Sequence, residues 1–335
     1  MSVLSLTRIL EPLMTLSRRT LLKSVGLAGA GLAVPSLGQM ALAAPMAPAP
    51  VLHQFRLGDA VITALLDGHL SLPSGMFTGA DPETVAQTLA GTFYREDAQG
   101  LEIPVNGYLV ERAGQYTLID TGTAALMGPE LGGLMGALAA TGVTPDQIST
   151  ILLTHMHPDH AGGLLNADGS AAFPNAELVV ADAEWGFWHD DAIMASVDEG
   201  SRGFFQMARN AVAPYADRMK PFSGEAEVAA GFSAMPLPGH TPGHSGFMLD
   251  AGSEQLLFWG DVVHSTALQF RNPDWTIPFD ADQSLAAQTR KAMFDRAVAD
   301  QLLVTGMHLD FPGLGRVERD GGAYAFDQAP WQFGL

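Results

Sequence analysis

Four side chains of metal-ligand type fall within six consecutive positions of this sequence. The segment is His155-Met156-His157-Pro158-Asp159-His160, after an apolar strand-like run and before Ala161-Gly162-Gly163. In extended backbone, residues i and i+2 point the same way, so His155 and His157 can bind one cation together. Asp159 and His160 follow where the chain turns and can face a second cation beside the first. A solvated loop with chance histidines is the weaker interpretation, so the segment predicts a metal centre at a strand end.

Three further residues of ligand type each follow a predicted buried strand. His240 lies in the rigid loop Pro238-Gly239-His240-Thr241-Pro242-Gly243, Asp261 ends the run 256–260, and His308 follows the run 302–305. Taken alone, each residue is more often a cap or a satisfied core residue. Loops from several strands can converge on one site, however. Together with the first cluster, the three residues are therefore expected at the same metal centre.

Composition excludes several classes of chemistry. The 335 residues include no cysteine, which rules out disulfides, cysteine-ligated zinc, iron–sulfur clusters and cysteine nucleophiles. Lysine and arginine total 17 against 36 acidic residues, giving a net charge of −19. A chain this acidic repels phosphate backbones, so no nucleic-acid partner is expected. The hydrophobic share of 47% supplies the core of a folded domain.

Residues 1–43 carry the pattern of an export signal. Arg18 and Arg19 precede an apolar stretch over 25–37, and Ala41-Leu42-Ala43 offers a cleavage site. The pattern resembles a bacterial twin-arginine signal peptide, which implies a periplasmic or secreted protein. The apolar stretch is shorter than the roughly 20 residues of a spanning helix, so no stable membrane insertion is expected after processing. An uncleaved membrane anchor is the alternative.

For the remaining chain, the sequence predicts a linker over 44–52 and a single domain over 53–335. Strand patterns and tight Gly-containing turns cluster at both ends of this domain, with helical patterns between and after them. Predicted strands cover 54–57, 60–66, 105–111, 116–120, 150–154, 176–181, 232–237, 246–250, 255–259 and 302–305. Predicted helices cover 81–91, 129–141, a stretch from 183, and 282–300. The order favours a mixed, layered α/β domain over a regular βαβ succession.

The combined motifs resemble the metallo-β-lactamase superfamily. The resemblance covers roughly 61–317 and rests on the His-x-His-x-Asp-His segment, a histidine in Gly-His-Thr-Pro-Gly, a Gly-Asp pair and a late histidine. Within the superfamily the chain is most similar to the methyl parathion hydrolase group and its lactonase and aryl-esterase relatives. The shared segments are Ile119-Asp120-Thr121-Gly122, 154–163, Gly203-Phe204-Phe205 and Lys220-Pro221-Phe222-Ser223-Gly224. The implied fold is an αβ/βα sandwich, two mixed β-sheets flanked by helices.

The resemblance also implies a ligand set for two divalent metal ions. His155, His157 and His240 would hold one ion, and Asp159, His160 and His308 the other, with Asp261 bridging the two. Asp261 and Asp159 would act in catalysis with a hydroxide shared by both ions. Donors that are all nitrogen or oxygen suit zinc first, and also manganese, cobalt or ferrous iron. Asp120 would orient a ligand histidine.

The same resemblance places a substrate pocket beside the ions. Met127 stands where the family has a phenylalanine, and Trp188 with Phe205 or Phe204 are the expected pocket aromatics. A core-packing helix explains any single one of these aromatics equally well. Methionine makes a cavity more adaptable, which argues against a narrow organophosphate specificity. Outside the ligand pattern, His244 is expected to pack or support a loop, and His264 to lie at the pocket edge or to be structural.

These features predict a di-metal hydrolase that cleaves neutral aryl ester, lactone or phosphotriester bonds. The expected partner is a small neutral substrate, and the oligomeric state stays open, a homodimer included. Alternatives are a metallo-β-lactamase-fold protein of another activity, such as a β-lactamase or thioester hydrolase, or a non-catalytic metal-binding protein. A bridging Asp261 argues against the cysteine-free β-lactamases, and His157 against a di-iron reductase. His160 and His308 argue against a single-iron dioxygenase.

Overall fold

In the computed structural model, residues 49–124 and 126–332 are described. The predicted signal peptide over 1–43 and most of the predicted linker lie outside this range. Within it, the strands form two seven-stranded sheets. The strands of the first sheet are β1 Leu52–Leu57, β2 Ala60–Leu72, β3 Leu101–Arg112, β4 Gln115–Ile119, β5 Ile148–Leu152, β6 Glu177–Ala181 and β7 Met219–Phe222. Those of the second are β8 Glu227–Ala229, β9 Phe232–Pro236, β10 Ser245–Asp250, β11 Gln255–Phe258, β12 Leu303–Thr305, β13 Leu314–Asp320 and β14 Ala323–Gln328.

Helices lie along the chain between these strands. They are α1 Pro82–Leu89, α2 Leu134–Ala140, α3 Pro158–Ala161, α4 Asp182–His189, α5 Asp191–Ser196, α6 Glu199–Val212, α7 Thr266–Gln269 and α8 Gln283–Ala299. α8 begins where predicted, because the Asp282 carboxylate accepts a hydrogen bond from the Leu285 amide at 2.9 Å. None of the helices within 49–124 and 126–332 has the length and apolarity needed to cross a membrane.

Both sheets are mixed, and each follows chain order. In the first, β1 to β4 form an antiparallel meander and β4 to β7 run parallel. In the second, β11 and β12 are parallel and the other neighbours are antiparallel. Parallel neighbours need a crossover connection. The crossovers carry the long loops that follow β4, β5 and β11.

Three apolar layers hold this arrangement together. Phe55 and Tyr108 of the first sheet meet Phe247 and Phe258 of the second, so one layer lies between the sheets. A second layer packs α2, α4 and α6 on the outer face of the first sheet. A third packs α8 on the second sheet, around Phe294. The expected αβ/βα sandwich is confirmed.

Several element boundaries differ from the sequence-based expectation. β2 continues to Leu72 through a bulge between Leu66 and Gly68, where the alternating pattern is interrupted. α2 begins only at Leu134, since Gly132 has a φ of +90° that a helix cannot contain. The sequence analysis missed β7, β8, β13 and β14. β13 and β14 expose many polar side chains at the sheet edge, which hides their strand character.

Candidate metal centre and cavity

Three imidazoles converge on one point at the edge of the sandwich. The distance from His155 Nε2 to His157 Nδ1 is 2.9 Å, from His157 Nδ1 to His240 Nε2 2.9 Å, and from His240 Nε2 to His155 Nε2 3.2 Å. A tetrahedral zinc ion with ligands at 2.0–2.1 Å needs nitrogen atoms about 3.3 Å apart. The three nitrogens therefore have close to the spacing of ligands to a single cation.

A second group lies directly beside the first. Asp159 Oδ2 is 3.5 Å from His160 Nε2 and 3.4 Å from His308 Nε2. Asp261 lies between the two groups: its Oδ2 is 3.2 Å from His240 Nε2 and 3.3 Å from His308 Nε2, and its Oδ1 is 3.3 Å from His160 Nε2. The structure thus brings together all seven residues of the expected ligand set, with Asp261 facing both groups.

Strand ends and tight loops place these side chains. β5 stops at Leu152, and the Thr154 amide and hydroxyl then donate to the Asp120 carboxylate at 2.9 and 2.7 Å. This anchor fixes the segment that carries His155. α3 begins at Pro158, which lacks an amide proton and suits a first helical turn, so His157 lies at its N-cap. Asp159 and His160 follow on that turn and reach the second group.

Outer hydrogen bonds fix three of the imidazole rings. His160 Nδ1 donates to Asp120 at 2.7 Å, His240 Nδ1 to Asp280 at 2.8 Å, and His308 Nδ1 to the Pro104 carbonyl at 2.8 Å. Each bond selects the tautomer whose Nε2 lone pair faces the centre, the arrangement that metal-ligating histidines adopt. Asp120 thus occupies the orienting position that the resemblance implies. Asp280 was missed, because 40 residues separate it from His240.

Buried polar atoms at the centre lack hydrogen-bond partners. Among the described residues, His160 Nε2 and Asp261 Oδ1 have none, although both are removed from solvent. An unsatisfied buried acceptor costs free energy that a bound cation removes. Together with nitrogen and oxygen donors grouped within 4.8 Å of one another, these atoms fit two divalent cations.

The carboxylates dominate the electrostatics of the centre. Burial alone would raise the pKa of Asp261, but the surrounding histidines, His160 first, hold it well below the ordinary value. Burial alone would lower the pKa of His240 and His308. Hydrogen bonds to Asp261 and Asp280 instead raise that of His240 to about 9, and Asp261 with Asp159 raises that of His308 to about 10. The protein without bound cations therefore holds protons here that metal binding must displace.

Two histidines outside the expected ligand set have different roles. His244 donates from Nδ1 to the Leu237 carbonyl and accepts from the Asp261 amide at Nε2, both at 2.8 Å, so it supports the loop that presents Asp261. Gly260 permits this contact, because a Cβ there would lie 2.4 Å from His244 Nε2. His264 instead reaches the centre, with Nε2 at 3.2 Å from Asp261 Oδ2. Burial lowers the pKa of His264 to about 4, so it is neutral at pH 7.

An apolar cavity opens onto the centre. Met127 and Phe204 line it as expected, and the sequence analysis missed Phe279 and the aliphatic residues of its walls. The side chains that line it are Leu70, Leu72, Ile103, Met127, His157, Pro158, Asp159, Phe204, His240, Asp261, His264, Ile277, Phe279 and His308. The described part of the chain contributes no lysine or arginine to this wall. The aliphatic residues come from the end of β2, the start of β3 and the segment after α7, which only the tertiary fold joins.

Trp188 and Phe205 occupy a different place from the one expected. Both are 3% exposed and belong to the layer under α4 and α6, with ring centres 4.8 Å apart, and neither lines the cavity. The indole nitrogen of Trp188 donates to Glu184 at 2.6 Å, so the ring is held behind the wall. The Trp188 and His157 rings lie edge to face, with centroids 5.3 Å apart. Trp188 therefore supports a histidine of the centre from outside the cavity.

Comparison with known proteins agrees with this architecture. The sequence matches the metallo-beta-lactamase superfamily over residues 100–304. Among solved structures, the chain is similar to the hydrolase AbOPH of the beta lactamase superfamily, with a TM-score of 0.81 and 33% identity over 86% of this chain and 100% of that one. It is also similar in fold to AidC, a dizinc quorum-quenching lactonase, with a TM-score of 0.77 and 24% identity over 84% and 99% of the two chains.

Curated sequences give the same result. YobT of Bacillus subtilis, a protein without an assigned function, is 30% identical over 187 residues, which cover 53% of this chain and 71% of YobT. An N-acyl homoserine lactonase from a Bacillus species is 24% identical over 209 residues, 57% of this chain and 76% of the lactonase. The chain therefore belongs to the metallo-β-lactamase superfamily, as one of its metal-dependent hydrolases.

Proposed function

We propose that this protein hydrolyses neutral lactones and aryl esters at a centre of two divalent cations, with phosphotriesters as poorer substrates. The observation that carries the proposal is the cavity: its walls are apolar, and it ends on two adjoining groups of nitrogen and oxygen donors. A hydrolytic metal centre needs protein ligands that hold the ion on one side and an open position for substrate on the other.

We assign each cation a set of ligands, and the donor geometry supports this assignment. His155, His157 and His240 would hold one, Asp159, His160 and His308 the other, and Asp261 both; zinc is our first choice of metal. When bound, such a pair supplies Lewis acidity to a substrate oxygen and lowers the pKa of water towards neutrality.

We assign different roles to the two carboxylates of the site, Asp261 and Asp159. Asp261 is deeply buried and surrounded by imidazoles, so we assign it to keeping the two groups of ligands together. Asp159 is the more exposed of the two, with a side chain 12% exposed, and it lines the cavity. We assign to Asp159 the transfer of a proton from the attacking water to the leaving oxygen. His160 holds the pKa of Asp159 well below the ordinary value, so the carboxylate is ionised at neutral pH and would hold that proton only briefly before passing it on.

The wall composition supports neutral substrates over charged ones. Phe204 and Phe279 lie with ring centres 6.1 Å apart at one side of the cavity, and Ile103 and Ile277 line it too. Aromatic and aliphatic walls bind a flat or alkyl group through burial of apolar surface. The described wall contains no lysine or arginine to pair with a free phosphate or carboxylate. We therefore expect negligible action on phosphomonoesters and penicillins. Two of the similar proteins are described as lactonases, which favours lactones over the other neutral substrates.

One experiment ranks these substrates. A single preparation of enzyme is assayed for kcat/KM on dihydrocoumarin, phenyl acetate and a dimethyl aryl phosphotriester. We expect the lactone and the aryl ester to exceed the phosphotriester. A phosphotriester value about ten-fold above both others would overturn the ranking, and absence of all three activities in metal-loaded protein would overturn the proposed substrate class.

We also propose that the protein is exported in folded form by the twin-arginine route and acts in the periplasm or outside the cell. The Arg18-Arg19 pair, the short apolar stretch and the Ala-x-Ala site support this proposal. Export of a folded protein would allow its metal ions to be loaded before it leaves the cytoplasm.

A further inference from the structure

The carboxylate of Glu184 lies buried behind the metal centre. Glu184 lies in the first turn of α4 and is 0% exposed. Its two oxygens accept four hydrogen bonds, and no lysine, arginine or histidine among the described residues forms an ion pair with it. The donors are the Met156 amide at 2.9 Å, the Trp188 indole at 2.6 Å, the Thr241 hydroxyl at 2.6 Å and the Gly243 amide at 3.1 Å.

Three of these donors belong to the two segments that carry one group of histidines, and the fourth, Trp188, lies on α4 with Glu184. The Met156 amide lies between His155 and His157, and Thr241 directly follows His240. His155 and His240 are 85 residues apart in sequence, yet their Nε2 atoms are 3.2 Å apart. Glu184 therefore connects, through its two oxygens, the strand-end segment and the loop whose three imidazoles face one another.

Close packing makes this connection short and rigid. A Cβ added to Gly243 would lie 2.1 Å from the Glu184 amide nitrogen, so the loop rests directly on the start of α4. Trp188, held by the same carboxylate, lies edge to face with the His157 ring. A buried network whose every member is satisfied has little freedom to move.

The network around Glu184 does not include the second group of proposed ligands. None of its four donors belongs to Asp159, His160 or His308, whose outer partners are Asp120 and the Pro104 carbonyl. We propose that Glu184 is a positioning residue that sets the spacing of His155, His157 and His240, and thereby the affinity for one of the two cations only. This inference rests on the two-cation centre proposed above.

Glu184→Gln tests the inference with little change in shape. The glutamine amide keeps one oxygen that accepts hydrogen bonds. Its NH2 group, however, cannot accept a hydrogen bond from the donors that face the other oxygen in the wild type. Chelator-treated full-length protein is titrated with Co²⁺, and the bound ion is followed by its visible absorption and by equilibrium dialysis. We expect one of the two binding steps to weaken by about ten-fold or more, the scale for loss of a partner behind a metal ligand, while the other step is unchanged.

Asp67→Asn is the matched control. Asp67 is 2% exposed and likewise accepts four hydrogen bonds, from the Thr123 amide and hydroxyl, the Gly132 amide and the Leu134 amide. Its carboxylate forms no hydrogen bond or ion pair with any of the seven proposed ligands. Its substitution should lower thermal stability to a similar degree as Glu184→Gln, yet leave both Co²⁺ steps at wild-type affinity.

The outcomes separate this inference from the proposed centre. Wild-type protein that fails to bind two ions would refute the centre itself. A normal wild type with unchanged binding in Glu184→Gln, equal weakening of both steps, or the same effect in Asp67→Asn would each refute the positioning role alone. If Glu184→Gln does not fold, Thr241→Val removes a single donor from Glu184. That variant should weaken the same single step by several-fold, and unaltered Co²⁺ binding in it would equally refute the role.

Discussion

Replacing Asp261 with asparagine should be the most damaging single change in this protein. The substitution keeps the shape of the side chain and removes its charge, while one oxygen becomes an NH2 group that cannot bind a cation. Asp261 lies 3.2–3.6 Å from nitrogen atoms of five histidines, His155, His160, His240, His264 and His308. Both proposed cations lose a ligand at once, so we expect both to bind weakly and hydrolysis to fail.

The size of the effect follows from these distances. Two opposite unit charges about 4 Å apart attract by about 4 kcal/mol at an effective dielectric constant near 20. That energy corresponds to about three orders of magnitude in a dissociation constant. The Asp261 carboxylate is only 4% exposed and lies closer than 4 Å to the surrounding nitrogens, so water screens it little. We therefore expect each ion to bind about 10³-fold more weakly in Asp261→Asn.

The assay measures bound Zn²⁺ at fixed free Zn²⁺ concentrations set by a chelator buffer, with turnover of dihydrocoumarin in parallel. Asp280→Asn is the control, because Asp280 is also buried but contacts only His240 among the proposed ligands. It should weaken one ion by about ten-fold. Two ions bound within about ten-fold of wild-type affinity in Asp261→Asn, or more than about a tenth of wild-type turnover, would refute the bridging position of Asp261.

Three further predictions address the cavity, the protons and export. Phe204→Ala should raise KM for aryl esters by about ten-fold or more, since a cavity-lining ring is lost, with unchanged metal content by elemental analysis; an unchanged KM would remove Phe204 from the binding wall. In the metal-free protein, the pKa values of His240 and His308 lie above the ordinary 6.5, so their stabilising effect is complete below pH 6.5 and is lost as pH rises through about 9 to 10. Urea midpoints in chelator should therefore fall across that window, whereas Zn²⁺-loaded protein should not show the fall; a rise in chelator would contradict the assignment. Replacing Arg18 and Arg19 together by lysine should leave unprocessed enzyme in the cytoplasm, as judged by fractionation and chain length, and normal periplasmic activity would contradict twin-arginine export.

The metal-donor cluster could be predicted from sequence because its cause is local. His155 and His157 share one side of extended chain through a two-residue period, and Pro158 starts the turn that brings Asp159 into place. Strand ends followed by Gly-containing loops mark His240, Asp261 and His308 in the same way. The layered fold followed from the same strand patterns and from the family resemblance.

The surroundings of the cluster could not be predicted, because they depend on contacts between distant segments. Asp280 holds His240 across 40 residues, and Glu184 holds the Met156 amide across 28. No short motif marks either carboxylate. Trp188 is an aromatic residue of the kind that lines substrate pockets. Its indole, however, donates a hydrogen bond to the buried carboxylate of Glu184, and that bond holds the ring behind the cavity wall. β13 and β14 were missed because they expose polar side chains.

If two cations held by this donor set support the hydrolysis of a neutral substrate, activity must follow the occupancy of both sites. The most direct test is to titrate chelator-treated protein with Zn²⁺ while the hydrolysis of dihydrocoumarin is recorded. We predict no turnover without metal and a rate that rises until two ions are bound per chain and then stays constant. A rate that saturates at one ion per chain, or hydrolysis that persists without metal, would contradict a hydrolytic centre of two cations.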